Sequence, residues 1–183
     1  AASDVYKRQI NMMDRTFTLD DSGFVIDETN TLLRYNGTSA IVELPNTVTS
    51  IANDAFNYLY TNVNVTQVTI PDSVKSIGER AFQNNGTLKV VKVNSTTPAI
   101  IADTTFRWQS GDFQIIVPNG YEDIYRNSEG WKVFANYITS EKEMENRPLF
   151  EVKDGTLVRF NPKEDTNITN IVIPDAVSYT HLR

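Results

Sequence analysis

Hydrophobic and polar positions alternate in short bursts along this chain, and the bursts recur. The stretch 66–82, TQVTIPDSVKSIGERAF, has a near copy at 40–56, AIVELPNTVTSIANDAF, offset by 26 residues. Leu44 falls on Ile70, Pro45 on Pro71, Val48 on Val74, Ser50 on Ser76, Ile51 on Ile77, and Ala55-Phe56 on Ala81-Phe82. Self-similarity at such a period indicates stacked repeats. Within the unit, Val68 and Ile70 alternate with Gln67 and Thr69, the period of a short half-buried strand. Pro71 cannot donate to a further ladder rung and Pro71-Asp72-Ser73 has turn chemistry, so the strand stops there. Val74 and Ile77 then turn inward, Gly78 permits a tight bend, and Ala81-Phe82 plugs the core. One unit buries too little to fold alone and needs neighbours on both sides.

The pattern continues in weaker form. Leu88, Val91 and Val93 form a third strand with Phe106 as its plug, and Phe113–Val117 with Pro118 forms a fourth. The inward strand-end series is Leu44, Ile70, Val93 and Val117. Ahead of the repeats, 17–19 (FTL) and 24–26 (FVI) read as strands around the turn 20–23 (DDSG). A further strand at 31–35 (TLLRY) closes on Asn36-Gly37, a strong turn signal. These elements are expected to form a β-hairpin cap. After the fourth strand, Tyr121, Ile124 and Tyr125 in 121–127 (YEDIYRN) form an i, i+3, i+4 helical face, with Glu122 and Asp123 where the helix dipole favours acids.

The combination of a strand, I/L-P-D/N-x-V, and x-S-I-x-x-x-A-F resembles the BspA-like leucine-rich repeats of bacterial surface proteins. The LxxYNG at 32–37 is similar to the lead-in of that family. VPNGYEDIY at 117–125, followed by Gly130-Trp131, resembles its terminal element, which makes Tyr125 and Trp131 capping residues, with a ligand platform as the alternative. The expected fold is mainly β with short helical turns: a leucine-rich-repeat solenoid with an N-terminal β-hairpin cap and a C-terminal helical cap. The expected organisation is a cap at 10–39, an array with its terminal cap at 40–138, and a polar linker at 139–148. Residues 149–177 should begin a second, truncated array, because 157–161 (LVRFN) echoes 33–37 and 171–177 (IVIPDAV) echoes the repeat strand. The segments 1–9 and 178–183 resemble adapter-encoded tails and are set aside as non-native, so that both true ends are expected to be missing.

Charge and chemistry narrow the functions. The 183 residues carry a net charge of −6. Without the two tails, 14 basic side chains face 22 acidic ones. That balance argues against nucleic acid and anionic membranes as partners. No apolar run approaches the roughly 20 residues a membrane helix needs. Cysteine is absent and the only histidine, His181, lies in a tail. Thiol catalysis, a histidine-based triad and imidazole or thiolate metal sites are therefore excluded. Asp54, Asp72, Asp103 and Asp123 are scattered through turns, and 20–23 (DDSG) lacks the downstream spacing of a calcium loop. A glycosidase pair could meet only from distant positions. No catalytic residue, metal or cofactor is expected. Asn36, Asn64, Asn85, Asn94 and Asn167 head Asn-x-Ser/Thr triplets, glycan acceptors only where a secretory pathway uses them. Tyr58 and Tyr60 are candidate exposed aromatics.

A binding role fits better. Residues preceding the inward series must point to the opposite sheet face, giving an outward column of Glu43, Thr69, Lys92 and Ile116. A second column holds Ile41, Gln67, Val90 and Gln114. Apolar Ile41, Val90 and Ile116 on that face are either covered, by the cap or a neighbouring domain, or part of a binding patch. The candidate ligand-binding residues are Glu43, Gln67, Thr69, Val90, Lys92, Gln114 and Ile116. The family resemblance implies a non-enzymatic, monomeric, extracellular or cell-surface bacterial domain. It would bind a protein or glycan on host or neighbouring cells, as in adhesion. The alternatives are a structural spacer, and a glycan-active enzyme or the accessory glycan-binding module of a larger surface protein.

Overall fold

The computed structural model describes residues 8–12, 15–19, 22–57, 64–83, 85–109, 111–147, 150–153 and 156–160. The chain forms two compact units that divide between Glu141 and Lys142.

The first unit opens with four antiparallel strands, β1 (Arg8–Met12), β2 (Arg15–Leu19), β3 (Phe24–Asp27) and β4 (Thr31–Tyr35). The expected hairpin is thus part of a larger meander, and β1 reaches back into the segment set aside as a tail. Arg8 pairs with Leu19 and Gln9 with Thr18. The remainder of both tails lies outside the described residues.

Each of the first three repeats then contributes two strands, and the fourth contributes one. Those of the first ladder are the expected ones. The second strand, only two residues long, follows the proline turn and was not foreseen from the sequence. In chain order these are β5 (Ile41–Glu43), β6 (Ser50–Ile51), β7 (Gln67–Ile70), β8 (Ser76–Ile77), β9 (Val90–Val93), β10 (Ile100–Ile101) and β11 (Gln114–Ile116). With β12 (Ile138–Thr139), the longer strands form a parallel sheet in the order β12-β11-β9-β7-β5. The short ones extend the meander, in the order β4-β6-β8-β10. The meander therefore continues the second ladder, through Thr31 beside Ser50 and Leu32 beside Ile51.

The core lies between the ladders. Val42, Val68, Val91 and Ile115 are buried in one row, and Leu44, Ile70, Val93 and Val117 in the next. Ile51, Ile77 and Ile101 supply the opposite wall. Phe56, Phe82 and Phe106 stack as the repeat predicts, with ring centroids 4.9 and 5.2 Å apart. The column runs further than the repeat: Tyr35 stacks on Phe56 at 5.6 Å and Phe24 tilts against Tyr35 at 5.2 Å. Backbone bonds tie the rungs at the same level, from Phe56 N–H to the Ala81 carbonyl and from Phe82 N–H to the Thr105 carbonyl.

Gly78 serves a different need from the one its sequence position suggests. A Cβ there would overlap the backbone of Ala52 and Asn53 in the preceding repeat. The Asn53 side-chain oxygen accepts the Glu79 N–H at 2.8 Å in that narrow gap. Close approach of backbones, rather than an unusual dihedral, fixes this residue.

The helix Glu122–Asn127 and the 3₁₀ helix Trp131–Tyr137 close the array before β12. The expected three-residue apolar face is only partly realised. Tyr125 is fully buried and Tyr121 packs at the margin, but Ile124 is 49% exposed. Trp131 and Tyr125 meet edge to face at 4.9 Å. The indole N–H donates to the Ala99 carbonyl and the Tyr125 hydroxyl to the Ser95 carbonyl, at 2.7 and 2.8 Å. Burial pushes the Tyr125 phenol up to about 12. Both rings are internal and cannot be a ligand platform.

The segment 139–148, expected as a linker, carries structure. Thr139 pairs with Ile116 in the sheet, Thr139 and Ser140 are buried, and Glu141–Glu145 is helical. In the second unit, β13 (Phe150–Lys153) and β14 (Thr156–Phe160) form an antiparallel hairpin. The segment 161–177 lies outside the described residues.

Candidate binding face

The outward columns of the first ladder follow from strand register. Ile41, Gln67, Val90 and Gln114 stand side by side, as do Glu43, Thr69, Lys92 and Ile116. Neighbouring strands lie about 4.8 Å apart, so each column presents one side chain per rung at a regular pitch. All seven predicted binding residues share this one face. Glu43 is exposed, and Gln67, Thr69, Val90, Lys92, Gln114 and Ile116 are half-buried. Ile41 is 59% exposed. The N-terminal meander extends the other sheet and leaves Ile41 uncovered.

The face has a notch at its C-terminal end, a cleft of about 400 Å³. Lys92, Asn94, Ile116, Pro118, Asn119 and Glu141 border it. Lys92 Nζ donates to Glu141 Oε1 at 2.6 Å across this opening. Both side chains are substantially exposed, so the pair adds little to stability and mainly orients an ammonium and a carboxylate beside a half-exposed isoleucine. Beneath it, hydrogen bonding from the Ser140 side chain holds the Glu122 carboxyl below its usual range, aided by backbone hydrogen bonds. That link fixes the chain just before Glu141. The notch can therefore take a group that is apolar on one side and polar or charged on the other.

Sequence reasoning missed Glu141, which is 49 residues from Lys92 and inside the supposed linker. Asn94 follows β9 directly and Pro118-Asn119 follow β11 after Val117, and their place in each turn was the available signal. Of the Asn-x-Ser/Thr positions, Asn36, Asn64 and Asn94 are exposed. Asn85 is 1% exposed, with its amide directed at the Phe56 carbonyl, so it is a structural residue and no glycan acceptor. Tyr58, Tyr60 and Asn167 lie outside the described residues. The carboxylates singled out in turns do not converge: Asp54 binds Arg80 at 3.1 Å, and Asp123 pairs weakly with Arg126. Among the described residues no group of three or more metal-ligating side chains occurs, and no helix is long and apolar enough to cross a membrane.

The BspA type leucine rich repeat region, in six copies, matches residues 34–139, more than half of the chain. The chain belongs to this leucine-rich-repeat family. The match ends at Thr139, the residue that closes the last rung of the first ladder. Two solved structures are similar over part of the chain. One is a leucine rich cell surface protein from Faecalibacterium prausnitzii A2-165, at 23% identity and a TM-score of 0.35, with 63% of this chain and 33% of that one covered. The other is a leucine-rich repeat protein from Bacteroides capillosus ATCC 29799, at 24% identity and a TM-score of 0.37, with 61% of this chain and 99% of that one covered. The chain spans a third of the first relative's length and nearly all of the second's. No curated protein matches it.

Proposed function

We propose that the chain is a non-enzymatic repeat module of a bacterial cell-surface or secreted protein, and that it binds a protein partner, as in adhesion, through the outward face of its first ladder. In this reading the repeats form a short solenoid, with the β meander capping one end and the two helical turns the other. The observation that carries the binding role is the in-register pair of outward columns, in which Val90 and Ile116 stay partly accessible beside the Lys92–Glu141 pair. An extended face of regular columns suits large partners, and a few half-buried apolar anchors ringed by polar groups resemble the centre of a protein interface. Membership of the family supports an extracellular place.

The second unit supports a longer array of the same kind. In β3–β4, Phe24 faces Tyr35, Val25 faces Arg34 and Ile26 faces Leu32, so that Leu33 is skipped. In β13–β14, Phe150 faces Phe160, Glu151 faces Arg159 and Val152 faces Leu157, so that Val158 is skipped. The same bulge at the same position favours reading the second hairpin as another lead-in to repeats.

The test is binding of the chain to immobilised matrix proteins and to a glycan array. Val90→Ser with Ile116→Ser is expected to weaken protein capture while costing less than about 1 kcal/mol of stability, since neither side chain is core. Capture that is unchanged would remove the face from the binding role. No capture of any protein would favour a structural spacer.

A further inference from the structure

We propose that the cleft beside Trp108 is a binding site for a neutral sugar, with the indole as the stacking surface. The site shares no residue with the ladder face. After the third plug, Phe106, the chain turns through 107–109 and sets Trp108 at φ +62° with 66% of its surface exposed. Bulky side chains rarely adopt this left-handed conformation, and it persists where the surroundings over-determine it. Here they do. Arg107 N–H bonds the Thr104 carbonyl at 3.2 Å on one side, and the Gln109 side-chain amide donates to the Phe82 carbonyl on the other. The ring is thus held away from the core.

A cleft of about 300 Å³ opens next to it. Its far wall is Val133, 54% exposed, and Tyr137, and its floor is the buried edge-to-face pair Phe106–Phe134. Asp103 and Arg107 border the cleft; both are exposed, and neither side chain has a hydrogen-bond or ion-pair partner among the described residues. These groups select the ligand. An anion would meet Asp103 unfavourably and a cation would meet Arg107. A neutral polyol needs acceptors and donors together, and these two side chains provide both. A pyranose also has an apolar C–H face that matches an exposed aromatic surface. The volume lies at the lower end of the range of small-ligand sites, far from the extended area that a protein interface requires.

The experiment titrates the whole chain with cellotetraose, mannotetraose and chitotetraose and follows tryptophan fluorescence. Trp131 is fully buried, so a shift reports on Trp108. At least one oligosaccharide is expected to give a saturable blue shift. By calorimetry, Trp108→Ala should weaken that binding about tenfold or more, with the melting curve unchanged. Asp103→Ala and Arg107→Ala should each weaken it severalfold. Absence of a saturable shift with all three sugars overturns the proposal, as does binding that survives Trp108→Ala. So does a loss of matrix-protein capture in Trp108→Ala without any sugar response. If Trp108→Ala melts early, unchanged sugar affinity in both Asp103→Ala and Arg107→Ala overturns it instead.

Discussion

The two ladders of each repeat are built from similar β-branched residues but have different surroundings. The short ladder, Ser50-Ile51, Ser76-Ile77 and Ile100-Ile101, joins the N-terminal meander and stands beside the aromatic column. Its residues bond mainly to the neighbouring repeat: the Ser76 hydroxyl donates to Ser50 Oγ at 2.9 Å, and Gly78 N–H to the Ile51 carbonyl at 2.8 Å. The long ladder buries one side of each strand and leaves the other to solvent. Its outward column changes chemistry at every rung, from Glu43 to Thr69, Lys92 and Ile116. Cohesion between repeats therefore rests on the plugs and on the inward rows of both ladders, while the outward column of the long ladder has room to vary. Substitutions on the two sides should differ accordingly.

The largest effect is expected at the plug. Phe82 is fully buried between Phe56 and Phe106, so Phe82→Ala should cost about 3–5 kcal/mol. Because each repeat depends on its neighbours, one cooperative urea transition should shift as a whole. A loss below about 1 kcal/mol, on the scale of a surface change, would break the distinction between the ladders.

Gly78→Ala comes next. Its methyl would overlap the Ala52–Asn53 backbone, and overpacking of this kind costs about 1–3 kcal/mol. The corresponding position one repeat earlier is already alanine, Ala52. A thermal melt of the variant separates a required gap from a tolerated one, and an unchanged melting temperature would deny that the repeats are closest there.

The smallest effect concerns the exposed end of the short ladder. Burial raises the Asp54 carboxyl, but hydrogen bonds from Arg80 and Asn57 outweigh it and hold the group below its usual value of 3.8. Because the folded value is the lower one, the contribution is present above that pH and is lost as pH falls through the folded value. Arg80→Ala should cost less than about 1 kcal/mol at neutral pH, as partly exposed pairs do. The gap between variant and parent should close in melts below about pH 4, the ordinary carboxylate range. A gap that persists into acid would assign the role of Arg80 to its packing.

Much of this was legible because the period is strict. Pro45 and Pro71 mark the strand ends, Ala55-Phe56 and Ala81-Phe82 mark the plugs, and the alternation 68–70 sets which side chains face in. The register of the seven candidate binding residues followed from those marks together with the weaker strands at 88–93 and 113–117. Features without a period were not legible. Strands of two residues, such as Ser76-Ile77, give no alternation to read. Ile124 matched a helical face, but the helix packs through Tyr125, and a six-residue helix has room for little more. The composition of 139–148 indicated a linker, yet Thr139 finds a rung beside Ile116.

The sequence by itself determined the repeat, its plugs, the direction of the pleat and the family, because each depends on local spacing that neighbouring copies enforce. Tertiary structure alone decided that the meander continues the short ladder and that Gly78 sits against another backbone. It also decided that Glu141 closes on Lys92, and that Asp103, Arg107 and Trp108 share a cleft with Val133. The physical reason is distance along the chain. Contacts across tens of residues depend on how the rungs stack and where the terminal turns lie, and no local pattern of hydrophobic and polar residues encodes that.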